Sequence, residues 1–248
     1  MRYLKIICGI LLLCNNAFCQ EANPIRIAVP HFLPPFTIEG ASHKLSGFDI
    51  TFMTRLCEEI QEKCLFVPMA TDQIIPSVNA GNVDLGIGAI TITVENYKYV
   101  DFTIPYMLSE SRFLGKQKID SQKFIFTKFK DQIVGAQTGT THEQELLILG
   151  FTKEHIQKFL RINSMIDALN NDQISLALVS NPIAIYWENY SANKLHVLGK
   201  PLNYGLGFGV AVKKNNNREL VRRLNTAILL FQQSPEYRQL YQMYFGEL

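Results

Sequence analysis

One unit occurs twice in this chain. Residues 74–91 read IIPSVNAGNVDLGIGAIT, and residues 165–182 read MIDALNNDQISLALVSNP. Each copy is a helical pattern, then a polar break, then an apolar strand that leads to a hydroxyl residue. A unit placed once in each half predicts two similar lobes rather than one continuous sheet. Around both copies, strand patterns alternate with helical ones. Strands are expected near Ile25 to Val29, Leu65 to Val67, Leu85 to Ile90, Arg112 to Gly115, Ile133 to Gln137, Phe159 to Ile162, Leu176 to Ser180, Leu195 to Leu198 and Phe208 to Val212. Helices are expected at Phe48 to Lys63, Thr140 to Leu149, Ser164 to Asn171, Asn181 to Tyr190, Arg218 to Phe231 and Pro235 to Phe245. Such alternation implies an α/β fold with mostly parallel pairing. In sheets of this kind ligands sit beyond the carboxyl ends of strands. Thr91, Thr140 and Ser180 follow such ends, so a site is expected in a cleft between the lobes.

The first twenty residues, MRYLKIICGILLLCNNAFCQ, do not fit the alternation. Arg2 and Lys5 precede the apolar run Ile6 to Leu13, and a small-residue exit follows. This reads as a secretory signal peptide cleaved after Cys19, so residues 1–19 are expected to be removed. Leu13 before Cys14 and Phe18 before Cys19 do not suit a lipid-attachment site. No later apolar run is long enough to span a bilayer. Export leaves Cys57 and Cys64, and an even pair in an oxidising compartment reads as a disulfide. Removing two lysine or arginine charges takes the formal net charge from +2 to 0 (22 basic and 22 acidic side chains remain). A neutral chain makes nucleic acid or an anionic membrane surface a poor partner.

Several motifs invite a chemistry and then decline it. THEQEL would need a second histidine four residues after His142, and Leu146 stands there. Two cysteines seven apart with no nearby histidine do not complete a zinc site. YGLGFGVAV, residues 204–212, is followed by no helix and does not make a dinucleotide loop. Its glycines suit a crossing between lobes, where backbone angles must change. No spacing marks a catalytic nucleophile with its base, so no catalytic residue, cofactor or metal is expected. GAQTGTTHEQELL combines Thr138 and Gly139 with Thr140 and Thr141 at a helix start, which suits either an anion or a plain cap. Phe32, Phe36, Tyr106 and Tyr204 are aromatic residues near strand ends or loops.

The run GFDITFMTRLCEEIQEKCLFVPMATDQIIPSVNAGNVDLGIGAITIT resembles the polar amino-acid-binding proteins of bacterial ABC importers. The histidine-, lysine/arginine/ornithine- and arginine-binding proteins are the nearest in pattern. GFD, the cysteine pair, IIPS, the Asp84 strand, TIT, DFT, the GTT turn and the SPEYRQLYQMYFG ending match in order, from about Ile25 to Gly246. The resemblance implies a two-lobed periplasmic-binding-protein fold with a central cleft, its lobes joined by two crossing strands. It implies that backbone around Thr91 and at Thr140 and Thr141 meets the ligand. The position of an arginine that grips the ligand's carboxylate falls on Asn96. The position of an aspartate that takes the amino group falls on Ser180, and a stacking position falls on Thr71.

Together these readings define an expected site of Phe32, Leu33, Phe36, Thr71, Gly88, Ala89, Ile90, Thr91, Asn96, Thr138, Thr140, Thr141 and Ser180. Expected lobes are 24–109 with 204–248, and 110–203. The expected function is an exported, monomeric solute-binding protein that closes on a small polar ligand and delivers it to an ABC permease. The same fold hosts cyclohexadienyl dehydratase, an alternative that needs a carboxyl acid in the cleft; Glu39 and Glu95 are its candidates. A stand-alone sensor module is the other alternative.

Overall fold

The computed structural model describes residues 23–116, 123–215 and 218–246. The expected signal peptide lies outside the described residues. The elements run β1 (Ile25–Pro30), β2 (Phe32–Leu33), β3 (Thr37–Glu39), β4 (Leu45–Ser46), α1 (Phe48–Glu59), β5 (Cys64–Met69), α2 (Ile74–Ala80), β6 (Leu85–Gly86) and β7 (Val100–Phe102). There follow β8 (Glu110–Gly115), β9 (Val134–Gln137), α3 (His142–Ile148), β10 (Ile156–Phe159), α4 (Ile162–Asn170), β11 (Leu176–Ser180), α5 (Asn181–Tyr190) and β12 (His196–Asn203). The chain then forms β13 (Ala211–Lys213), α6 (Arg218–Gln232) and α7 (Pro235–Phe245).

Two five-stranded sheets result, ordered β5-β1-β6-β13-β7 and β10-β9-β11-β8-β12. The repeated unit is α2–β6 in one and α4–β11 in the other. Each copy ends its helix at a left-handed residue or just before one, Gly81 at φ 80° and Asp172 at φ 58°, and this turns the chain back into the sheet. The expected preponderance of parallel pairing is corrected by the structure. β1 pairs in parallel with β5 and β6, and β9 with β10 and β11. β13 and β8 run antiparallel to both of their neighbours. The reason is topological: β8 and β13 are the strands that enter a sheet straight after the chain has crossed from the other one, so they arrive from the opposite end.

The crossings are residues 103–109 and 204–210, and they lie side by side. Tyr106 N–H donates to the Phe208 carbonyl and Phe208 N–H to the Met107 carbonyl, both at 2.8 Å. Ser109 Oγ donates to the Tyr204 carbonyl and accepts Gly207 N–H at 3.0 Å. Gly207, at φ 111°, has no room for a side chain: an added Cβ would meet Pro105 Cβ at 2.5 Å. The expected strand from Phe208 is therefore shorter than its apolar run. Phe208 makes isolated bridges to Thr91 and Met107, and regular pairing begins at Ala211.

The first lobe has an aromatic core. Phe48 packs against Phe36, Phe52, Tyr106, Tyr237, Tyr244 and Phe245. GFD owes its form to this start of α1. Gly47, at φ 119°, would place a Cβ 2.3 Å from the Phe36 carbonyl oxygen. Phe48 then turns into the core, and Asp49 turns toward the cleft loop. Cys57 and Cys64 are bonded, with Cα atoms 6.2 Å apart, fastening the end of α1 to β5. The second lobe is aliphatic around β11, with a smaller ring cluster of Phe113, Phe124, Phe126 and Phe151.

Candidate functional site

The carboxyl ends of β6, β9 and β11 face one another across a narrow cavity. Its wall contains Leu33, Thr71, Gly88, Ala89, Ile90, Thr91, Asn96, Thr140, Thr141 and Ser180 from the expected set. It also contains Ile74, Ile75, Gln137, Gly139, His142, Ile162, Val179, Ile183 and Phe208. Both lobes contribute. The cavity measures about 30 Å³, which is room for roughly two water molecules. A second cavity of about 530 Å³ opens beside it at the cleft mouth, lined by His31, Phe32, Met69, Leu160 and Arg161 among others.

The lobes meet directly. Gln137 Nε2, at the end of β9, donates to Thr71 Oγ1 at 3.1 Å. Gly139, at φ 78°, sits so close that an added Cβ would fall 2.5 Å from the backbone nitrogen of Asp72. Gln137 escaped the sequence reading although it occupies a strand end like Ser180; its signal was position, not residue type. Phe208, Ile162 and Ile183 were missed because an apolar residue reads equally as core.

Three expected residues lie elsewhere. Phe36 is fully buried in the aromatic core, against Phe48, Phe208 and Phe245. Phe32 faces the neighbouring, wider cavity. Thr138 turns away from the cavity, its hydroxyl donating to the Phe159 carbonyl at 3.3 Å. Of the other aromatics, Tyr106 is fully buried, and Tyr204 is half-buried on the second crossing. The two carboxylates considered for acid catalysis are also off the wall. Glu39 is held between His31 and His43 at 2.6 Å each, and Glu95 pairs with Lys98.

The loop after β6 is shaped by buried polar contacts. Ala89 has φ 48°, a conformation that side chains avoid. Its N–H donates to Asp49 Oδ2 at 3.2 Å. Burial pushes the Asp49 carboxyl up to about 8, and its Oδ1 has no hydrogen-bond partner. Asn96 closes the other end of the loop: its Nδ2 donates to the Thr91 carbonyl at 2.9 Å, and its own N–H donates to Thr93 Oγ1 at 3.1 Å. The opening Thr-Ile-Thr segment is thus tied down by the side chain that stands in the arginine position.

The opposite wall is hydroxyl-rich. Thr140 Oγ1 donates to the Gln137 carbonyl at 2.7 Å, so α3 begins at His142 and not at Thr140. With that hydroxyl proton committed, His142 must donate from Nδ1 to Thr140 Oγ1, 3.0 Å away, leaving Nε2 as an acceptor. Burial lowers the His142 pKa, which keeps the ring neutral. Glu145 lies behind Thr141, with Oε1 accepting from Thr141 at 2.9 Å and Oε2 from Ser111. Ser180 Oγ is buried, lines the cavity and has no hydrogen-bond partner. It does not cap α5, whose first turn carries Pro182.

Two α/β lobes of matching strand order, joined by paired crossings and closed on a lined cavity, define a cleft-closing binding protein. The family comparison is specific: residues 25–247 match the bacterial extracellular solute-binding proteins, family 3, and the chain belongs to that family. It is 27% identical over 246 residues to the ABC transporter arginine-binding protein 1 of Escherichia coli K12, covering 98% of this chain and 99% of that protein. A solved structure from Legionella pneumophila, an arginine 3rd transport system periplasmic binding protein, is similar with TM-score 0.82 and 26% identity, over 90% of this chain and 99% of that one. A second similar solved structure is an ancestral amino acid-binding protein described as a precursor of cyclohexadienyl dehydratase, with TM-score 0.79, 26% identity and 90% and 95% coverage.

Proposed function

We infer that this protein is exported through a signal peptide ending at Cys19 and works in the periplasm as a monomeric solute-binding protein. It captures a small polar, amino-acid-like solute between lobes 24–109 with 204–248 and 110–203, and presents the closed form to an ABC permease. The hydrogen bond from Gln137 to Thr71 carries this reading, because it joins the carboxyl ends of both sheets over a cavity that both lobes line. A ligand that bridges the walls would bias an open–closed equilibrium in the same sense. The arginine-binding relatives support solute capture, and the periplasmic solved relative supports the compartment.

The dehydratase-related neighbour raises an enzymatic reading. Glu39 and Glu95 are engaged outside the cavity, and no aspartate or glutamate lines its wall among the described residues, which favours binding over turnover. The test is thermal-shift screening of the purified protein against amino acids, oligopeptides, polyamines and organic acids. A ligand at ~100 times its dissociation constant should add about 2.7 kcal/mol of stability. Turnover of prephenate or arogenate would overturn the binding reading, and a screen without any shift would remove its support.

A further inference from the structure

We propose that the solute is uncharged: a carboxamide on a small branched hydrocarbon body. The proposal rests on the solute-capture reading and narrows that reading's amino-acid-like solute to one without charged ends.

Among the described residues the wall carries no aspartate, glutamate, lysine or arginine. Its one titratable side chain is His142, and its buried ring stays neutral. Glu145 stands behind the wall with both oxygens already accepting hydroxyl protons. At about 30 Å³ the cavity admits a guest of this size only when the lobes part, and a guest held between its two walls would still be largely shielded from water. A charged group there would lose hydration and meet no opposite charge on this wall, since Arg161 lines the neighbouring cavity, and that is the costliest way to bury a polar group. A zwitterion would suffer this at both ends.

Neutral hydrogen bonding is what the wall does offer. Ser180 Oγ, 4% exposed and without a partner, can donate and accept. Asn96 keeps Oδ1 and one N–H after its bond to the Thr91 carbonyl. His142 keeps Nε2 as an acceptor. A buried donor-acceptor such as Ser180 strongly favours a guest that completes its bonds. A carboxamide brings one acceptor and two donors without charge, and so matches this mixture. The rest of the wall is branched and apolar, with Ile74, Ile90, Ile162, Val179, Ile183 and Phe208, and suits a compact aliphatic body.

The test is calorimetry on the purified protein with four probes that share a small branched aliphatic body: isobutyramide, isobutyrate, isobutylammonium and valine. The expected result is that isobutyramide binds at least about 10-fold more tightly than each charged probe, since a charge here lacks the partner that makes such bonds strong. Asn96→Arg should invert the preference toward isobutyrate, and Ser180→Asp should invert it toward isobutylammonium. Two variants on opposite walls guard against a folding failure in one, and their thermal melts report it. A wild-type preference for valine, or tight arginine binding, would overturn the uncharged class and leave solute capture standing. If no wild-type probe binds but the variants bind their charged partners, the cleft captures solutes and the carboxamide assignment is overturned. If neither the wild-type protein nor either variant binds any probe, and amino acids also fail to bind, solute capture falls with it.

Discussion

The two lobes share a strand order and differ in how the chain supplies it. The second sheet is made from one stretch, β8 to β12, while the first takes β13 from beyond the second crossing, and its helix α1 packs against α6 and α7 from the end of the chain. A lobe closed by distant segments has a larger loop entropy to overcome. It also carries the reinforcements: the ring cluster around Phe48 and the Cys57–Cys64 bond. Equal topology thus does not mean equal means of stabilisation. The lobe that is harder to close has the heavier core and the covalent tie.

That contrast predicts unequal responses to equivalent truncations. Phe48→Ala should destabilise by about 3–5 kcal/mol. Phe113→Ala, in the smaller cluster of the second lobe, should fall at or below the low end of that range. Denaturant melts compare them, and a larger effect at Phe113 would break the contrast.

Buried carboxylates sharpen it further. Asp49 receives the Ala89 backbone N–H at Oδ2, and its Oδ1 has no partner; Glu145 receives a hydroxyl at each oxygen. The Asp49 carboxyl, held near 8 by burial, ionises far more readily when the chain unfolds. Its folded pKa is raised, so the unfolded state sheds protons first. Stability should therefore decline as pH rises from about 4 to about 8 and level off above that. Asp49→Asn keeps an acceptor for Ala89, flattens the slope and should stabilise by up to about 4 kcal/mol at pH 7. Glu145→Gln should instead destabilise, by about 1–3 kcal/mol. Melts across pH check both signs.

Much of this was legible beforehand. The duplicated helix–break–strand unit announced two sheets, and the cysteine pair announced the bond. The glycines around Gly207 marked the second crossing alone, because a left-handed backbone leaves a mark in residue type; the first crossing carries no such mark. The cavity wall was only partly so. Thr91, Asn96 and Ser180 show themselves as polar residues at strand ends. Phe36 was misplaced because an aromatic beside a strand serves a core and a cleft equally well, and here Phe48 and Phe245 lie within ring contact of it. Ile162 and Ile183 join the wall only through how α4 and α5 pack, which no local pattern records. The antiparallel entries of β8 and β13 were hidden for the same reason: direction belongs to the path between sheets.

Two smaller effects complete the comparison. Reducing the Cys57–Cys64 bond, or changing both residues to serine, should cost about 2–3 kcal/mol, as expected for closing a short loop. Hydrogen exchange should show the loss first at the end of α1 and in β5, with the second lobe unchanged. Exchange that spreads evenly over both lobes would show that they unfold as one unit. Gln137→Ala removes the bond to Thr71 and should change stability by only about 0.5–1.5 kcal/mol. Its clearer mark should be a larger radius of gyration in solution scattering, since the side chain spans the lobes and supports neither one internally.

Phe208 sits on the second crossing, bridged to Thr91 and Met107, and is also part of the cavity wall. In a rotation about the crossings, displacement grows with distance from the axis. Phe208 lies at the fulcrum and travels little, while Gln137 and Thr71, one on each lobe, travel farther on the lever arms. A solute group resting on Phe208 would have its seat in the open and the closed form alike. Groups meeting the outer wall would acquire theirs only at the end of the swing. Docking would then proceed outward from the fulcrum, the apolar body first and the mouth contacts last.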